Sequence, residues 1–264
     1  MDFGLHVGTR RVGATPEGLR AIATKAEELD YSYLGFPDHI IIPNKVDSKY
    51  PYNKEGLWPA QDTGTCLEQL MTLAYVSAVT TNIQLLTSVL VLPHRSPVLA
   101  AKMLATADVL SNGRLAIGLG IGWMTEEIEV LSTVPFNKRA LAADEQISAF
   151  IKLWTETNPS FRGQFVNFEN ILFDPKPIQK PYPPIWFAAN SDPAVKRAAH
   201  LGDTLFINPH ATTQTIDRQM QLYRSELDSI GKPFPKELPC IKEVFCAKDK
   251  KTAARKISRL SKKI

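Results

Sequence analysis

The chain has 264 residues with 44% hydrophobic content, a length that suits one large α/β domain and a composition that excludes a disordered or collagen-like chain. The net charge of +4 comes from residues 248–264, where eight bases face one acid; the remaining 23 bases and 26 acids leave the body slightly acidic. The basic tail reads as a solvated outer helix, since a nucleic-acid or membrane patch would need aromatic interleaving or further basic clusters, and no apolar run reaches the roughly 20 residues of a membrane helix.

Apolar, β-rich runs alternate with helical patterns almost throughout, which predicts a parallel sheet with crossover helices. The first strand is expected over 2–8, and this opening lacks the basic region and cleavage site of a secretory signal, so a cytoplasmic location is expected. Thr15-Pro16-Glu17 starts a helix ending by Asp30, with a capping residue followed by proline at the first turn. Strand two is Tyr33 to Phe36. The loop over about 37–65 is long for a compact domain, and that length predicts a lid or pocket wall.

A helix is predicted over 66–81 and strand three over Ile83 to Thr87. A helix from Pro97 to Leu110 stops at Asn112-Gly113, residues suited to a left-handed turn. Strand four follows at Leu115 to Gly118, then helices over 124–131 and 138–156. Residues 159–184 interrupt the alternation as an insertion, with a short hairpin expected between 162–165 and 171–173. Strand five is Ile185 to Ala188, a helix spans 192–200, and strand six is Thr204 to Ile207. A helix over 213–230 ends at Gly231 with Pro233 beyond. Strand seven is expected over Ile241 to Ala247, followed by a basic helix whose apolar face carries Ile257, Leu260 and Ile264. Seven strands fall one short of a closed eight-stranded barrel, so the chain is expected to be truncated or closed in another way.

Three of these strands end in residues able to do chemistry, the way a (β/α) barrel builds a site at the carboxyl ends of its strands. Asp38-His39 follows strand two: a histidine there suits proton transfer or a hydrogen bond to a cofactor, and Asp38 is positioned to orient it. Ser88-Val89 ends strand three, where a small residue lets backbone press against a flat ring. Gly118-Leu119-Gly120-Ile121-Gly122-Trp123 departs from G-x-G-x-x-G because tryptophan stands at the last position. Gly120 and Gly122 instead permit close approach of a bulky planar ligand, with Trp123 as a wall. Ala189-Asn190-Ser191 leads into a helix start and reads either as an N-cap or as a phosphate cradle.

Arg139, Asp144 and Glu145 read as structural ion pairing. Cys66, Cys240 and Cys246 are too few and too scattered for a disulfide framework and are expected to be buried thiols. The five histidines lack ligand spacing, so no metal site is expected. Two alternatives stay open: a barrel that binds a flavin without turnover, and a metal-dependent barrel hydrolase.

Taken together, Phe36 to His39, Thr87 to Pro97, Ala101-Lys102, Leu110 to Arg114, Gly118 to Trp123, Phe136 to Glu145 and Pro175 through Ile185 resemble the bacterial luciferase-like family of flavin- and deazaflavin-dependent oxidoreductases. Within it the chain looks most similar to the probable coenzyme F-420-dependent subgroup. The resemblance implies a TIM (β/α)8 barrel across 1–264 with an inserted segment, a homodimer and a small organic substrate. It implies F-420 or FMN as cofactor, hence hydride transfer with the former or monooxygenation with the latter. His39 would be catalytic, next to the reactive part of the ring. The ring would lie over a cis peptide at Ser88–Val89, beside Asp38, Gly120, Gly122 and Trp123, and the phosphate near Ala189, Asn190 and Ser191. Tyr50 and Tyr52, in the loop over 40–60, would cover the substrate. The family often carries Gly-Gly where Ala188-Ala189 stands and Asp-Gly-Trp where Asp203-Thr204-Leu205 stands.

Overall fold

In a computed structural model, which describes residues 1–58 and 64–260, six strands form one parallel sheet. They are β1 (Gly4–His6), β2 (Tyr33–Phe36), β3 (Gln84–Val91), β4 (Leu115–Gly120), β7 (Ile185–Ala189) and β8 (Thr204–Ile207), hydrogen-bonded in that order. The connecting helices are α1 (Pro16–Glu28), α2 (Gln69–Val79), α3 (Pro97–Leu110), α4 (Thr125–Leu131), α5 (Arg139–Thr155) and α6 (Asp192–Leu201), followed by α7 (Thr213–Ser229) and α8 (Lys250–Leu260). A two-stranded hairpin, β5 (Phe161–Arg162) with β6 (Asn167–Phe168), stands between α5 and β7. The architecture is a parallel half-barrel, open between β8 and β1.

The local signals act as the sequence predicts. Thr15 accepts a hydrogen bond from the Gly18 amide at 3.1 Å, and Thr212 from the Thr215 amide at 3.1 Å, each satisfying a free helix N–H. Asn112 and Gly113 take φ of 57° and 77°, and Gly231 takes 68°, ending α3 and α7. The predicted start of α2 at residue 66 moves to 69 because Glu68 caps it, accepting from the Met71 amide at 2.7 Å. The insertion's hairpin is tighter than expected, closing at 161–168.

Strand alternation divides the side chains into two layers. Leu34, Phe36, Leu85, Leu115, Ile117, Leu119, Ile185, Phe187 and Leu205 face the helices and join the main core. Each such buried side chain contributes about 1.5–3 kcal/mol. The opposite face lines the barrel interior, where Leu86, Ala116 and Phe206 gather with Tyr33, Val89, Trp186 and Ala188. Trp186 lies between Tyr33 and Phe206, at centroid distances of 5.1 and 5.6 Å.

Polar clamps hold the opposite, amino end of the sheet. Glu27 at the end of α1 accepts from the amides of Thr81, Asn82 and Ile83 ahead of β3. Buried Arg114 donates to the carbonyls of Ser77, Thr80, Ile83 and Ser111.

Two expectations are corrected. Residues 241–247 form no strand; the chain makes one bridge, Ile207 with Cys240, and then leaves the edge of β8. The ladder stops because β8 ends at Ile207 and the next rung would need an amide hydrogen from Pro209, which has none; Lys242 Nζ donates to the carbonyls of Pro209 and Ala211 just beyond. Val244 is left 79% exposed. The cysteines are not buried either, since Cys66 is half-buried and Cys240 and Cys246 are exposed. The basic helix forms as α8, capped by Asp249 from the Thr252 amide at 2.7 Å, while Ile264 lies outside the described residues. Among the described residues, no helix is long and apolar enough to cross a membrane.

Candidate active site

The carboxyl ends of β2, β3 and β4 meet in a buried charge cluster. Asp38 accepts from the Val91 amide at 2.8 Å and from Arg95 Nη1 and Nη2 at 2.7 and 2.8 Å. Arg95 also donates to Glu68 Oε1, from Nε at 3.1 Å and from Nη2. Burial alone would raise the Asp38 carboxyl, but the two hydrogen bonds from Arg95, with the nearby Arg95 and His94 charges, outweigh it and lower the pKa to about 2. The Arg95 guanidinium is correspondingly held charged. Asp38 therefore joins the end of β2 to the end of β3 and does not hold His39, which corrects the orienting role expected of it.

His39 is held by a residue that sequence reasoning missed. Its Nδ1 lies 2.8 Å from Oε2 of Glu127, in the first turn of α4. Glu127 Oε1 accepts from the amides of Ile40 and Ile41 at 2.7 and 3.1 Å. The adjacent Glu126 accepts from the amides of Asp47 and Ser48 at 2.7 and 2.8 Å. The two acids thus clamp the long loop to α4. In the sequence, the pair Glu126-Glu127 reads as acids favoured by a helix N-terminus, and only its place directly after Gly122-Trp123 hints at more.

Above this cluster lies a series of aromatic contacts. His39 packs on Trp58 at 4.6 Å between centroids, Trp58 meets Trp123 edge-on at 5.9 Å, and Tyr50 meets Trp123 at 5.2 Å. Tyr50 reaches Tyr52, which stacks on His210 at 5.2 Å. Burial pushes the Tyr50 hydroxyl up to about 12, so it stays protonated in the neutral range.

Several inward positions near the carboxyl ends of the strands are small: Gly35 on β2, Ser88 on β3, Gly118 and Gly120 on β4, and Ala188 on β7. A Cβ at Gly35 would stand 3.2 Å from Ser88 Cβ, and one at Gly120 would stand 2.7 Å from Val89 Cγ2. The Ser88–Val89 peptide is cis, the Ser88 carbonyl lies 3.3 Å from His6 Nε2, and the buried Ser88 hydroxyl has no partner. A small-residue floor with one waiting hydroxyl fits a flat, polar-edged ring. Gly122, with φ 74°, accepts at its carbonyl from Arg139 Nε at 3.2 Å and turns the chain so that Trp123 joins the aromatic wall.

The phosphate-end candidates occupy the β7–β8 side of the mouth. Asn190 Nδ2 donates to the Tyr52 hydroxyl at 2.8 Å, and its Oδ1 accepts from Asn208. Together with His210, Thr212 and Thr215 these residues line a cleft of about 230 Å³ at the start of α7. Ala189 is buried in the main core and Ser191 makes no capping bond, so Asn190 is the one member of the predicted trio that lines the cleft. Asn208, His210, Thr212 and Thr215 had no local signature, because they converge only through the β8–α7 turn. Of the three residues read as ion-pairing, Asp144 alone pairs, with Arg197, while Glu145 accepts from the amides of Gln164 and Phe165 in the hairpin loop and Arg139 donates to the carbonyls of Gly122 and Phe136. Among the described residues, no group of three or more His, Cys, Asp or Glu is placed to hold a metal ion.

A parallel α/β half-barrel with titratable side chains and a small-residue floor at its strand carboxyl ends defines a barrel-type enzyme. The chain belongs to the luciferase-like monooxygenase family, whose model matches residues 1–263. An uncharacterized protein of Mycobacterium tuberculosis (strain ATCC 25618 / H37Rv) is 32% identical over 209 residues, 79% of this chain and 73% of that protein. An FMNH2-dependent dimethylsulfone monooxygenase of Pseudomonas putida is 36% identical over 115 residues, 43% of this chain and 32% of that enzyme. An F420-dependent secondary alcohol dehydrogenase, solved with an F420–acetone adduct, shares the fold at a TM-score of 0.73 and 18% identity. That match covers 91% of this chain and 68% of the other.

Proposed function

We propose that this chain is an oxidoreductase that binds F-420 or FMN at the mouth of the half-barrel and acts on a small organic substrate. The observation that carries the reading is the buried, unpartnered Ser88 hydroxyl set in a floor of Gly35, Gly118, Gly120 and Ala188. Similarity to F420- and FMNH2-dependent enzymes supports the same class of cofactor. When bound, that cofactor supplies two-electron chemistry: hydride transfer with F-420, or oxygen-atom insertion with reduced FMN and dioxygen.

The chain's own residues orient and exclude water. The floor, with Val89 and Gly120, and the Ser88 hydroxyl would hold the ring, and Trp123, Trp58 and Tyr50 would wall it from water. Asn190, Asn208, Thr212 and Thr215 receive the phosphate end, where the first amides of α7 add donors. His39 exchanges a proton with substrate at Nε2, the ring nitrogen not taken up by Glu127. Asp38 acts through the backbone, holding Val91 and so the end of β3 in place. A homodimer belongs to the same reading, with exposed Met71 of α2 and Leu99 of α3 set against a second copy.

The test is titration of the purified protein with F-420 and with FMN, oxidised and reduced, followed by ring fluorescence. Saturable binding of one, retained in His39→Gln and weakened in Gly120→Val, is expected. Binding of neither refutes the assignment.

A further inference from the structure

The acid–base role assigned to His39 depends on which ring nitrogen carries the proton, and the structure supplies the group that decides it. Glu127 is 1% exposed at its side chain and lies 2.8 Å from His39 Nδ1. Burial alone would raise its pKa, yet the hydrogen bond from His39, the nearby His39 and His94 charges and the Ile40 amide hold it below the ordinary glutamate value. The carboxyl is therefore ionised at neutral pH and can only accept hydrogen bonds. Its Oε1 already serves two amides that can only donate, so Oε2 requires a donor from the imidazole.

The other charged groups around His39 do not compete for Nδ1. His94 stands between the two carboxylates, with Nε2 3.7 Å from Glu127 Oε2 and Nδ1 3.7 Å from Asp38 Oδ2, both beyond hydrogen-bond reach. Arg95 is engaged by Asp38 and Glu68. The Arg10 guanidinium lies 4.6 Å above Trp58, on the ring that packs against His39.

We propose that Glu127 is a positioning residue for His39, fixing the neutral imidazole as the Nδ1–H tautomer so that Nε2 keeps its lone pair for the barrel mouth. This rests on His39 being the proton-exchanging group, but the tautomer is a property of the protein without cofactor. By also binding the Ile40 and Ile41 amides, Glu127 couples the ring's orientation to the placement of the residues that follow it.

The substitution Glu127→Gln separates this role from simple loop anchoring. The glutamine carbonyl can still accept from Ile40 and Ile41, which leaves its amide nitrogen facing His39 Nδ1 as a donor. Nδ1 must then become an acceptor, and the imidazole moves to the Nε2–H tautomer. Long-range 1H–15N NMR of uniformly labelled protein, at about pH 8.5, roughly two units above the ordinary histidine value, reads the tautomer directly, with His39→Gln assigning the resonance. The expected result is a protonated Nδ1 in the native protein and a protonated Nε2 in Glu127→Gln. A native ring protonated at Nε2, or a variant still protonated at Nδ1, overturns the proposal. If Glu127→Gln fails to fold, the native spectrum alone decides the assignment. Failure of the F-420 and FMN titration with an intact Nδ1–H tautomer would refute the cofactor reading while leaving this one standing.

Discussion

Replacing Asp38 by asparagine should produce a stability loss with a specific pH signature. Asp38 is 4% exposed and its carboxyl is depressed from 3.8 to about 2, against the burial that would raise it. A depression of that size corresponds to about 2 kcal/mol of stabilisation. Because the folded-state value lies below the unfolded one, this stabilisation is fully present above the unfolded value of 3.8 and disappears as pH falls through the folded value of about 2. At neutral pH the substitution also leaves Arg95 with Glu68 as its one anionic partner, and breaking a buried pair from one side costs about 3–5 kcal/mol.

The pH dependence is the sharper test, because asparagine does not titrate. Urea unfolding of both proteins, followed by tryptophan fluorescence, should show a gap that is constant from about pH 7 to about pH 5 and shrinks by roughly 1 kcal/mol at about pH 3. A gap that stays unchanged between about pH 5 and pH 3 would refute the claim that Asp38 is held ionised by Arg95.

Two further outcomes follow from packing. In Gly118→Ala the new Cβ would stand 2.2 Å from the Thr87 carbonyl oxygen and 3.2 Å from Phe206 Cε1, a clash against backbone expected to cost about 2–3 kcal/mol and roughly 5–10 °C in Tm by calorimetry; an unchanged melting profile would contradict the inward placement of Gly118. The α2–α3 face should carry the homodimer, so light scattering should report a dimer for the native chain and a monomer for Met71→Asp/Leu99→Asp. A native monomer, or a variant that remains dimeric, would refute that interface.

The site was unequally legible. His39 is readable because a histidine directly after an apolar strand falls at the mouth whatever the rest of the barrel does. Ser88, Gly120 and Trp123 follow the same logic on β3 and β4. Arg95 was visible as a charged residue but not as the partner of Asp38, since 57 positions separate them and nothing local joins them. Glu127 was hidden for a different reason: an acid in the first turn of a helix is expected there for the helix's own sake. Asn190 and Asn208 are 18 residues apart and meet only because β7 and β8 are neighbours. The strand expected at 241–247 shows the converse error, because a run forms a strand only where its neighbour extends alongside it, and β8 ends at Ile207, opposite Cys240.

The sequence alone determined the order of strands and helices, their turns and the strand ends at which chemistry gathers, because alternation, capping and glycine conformation act over a few residues. It carried the family resemblance for the same reason, through short runs at those strand ends. Tertiary structure decided which ends adjoin: that Asp38 binds Arg95, that His39 binds Glu127, and that the inward positions of separate strands make one floor. These pairings form across parallel neighbours separated by whole helices, and burial then makes them consequential, since a charge removed from water must find its partner wherever the fold has placed it.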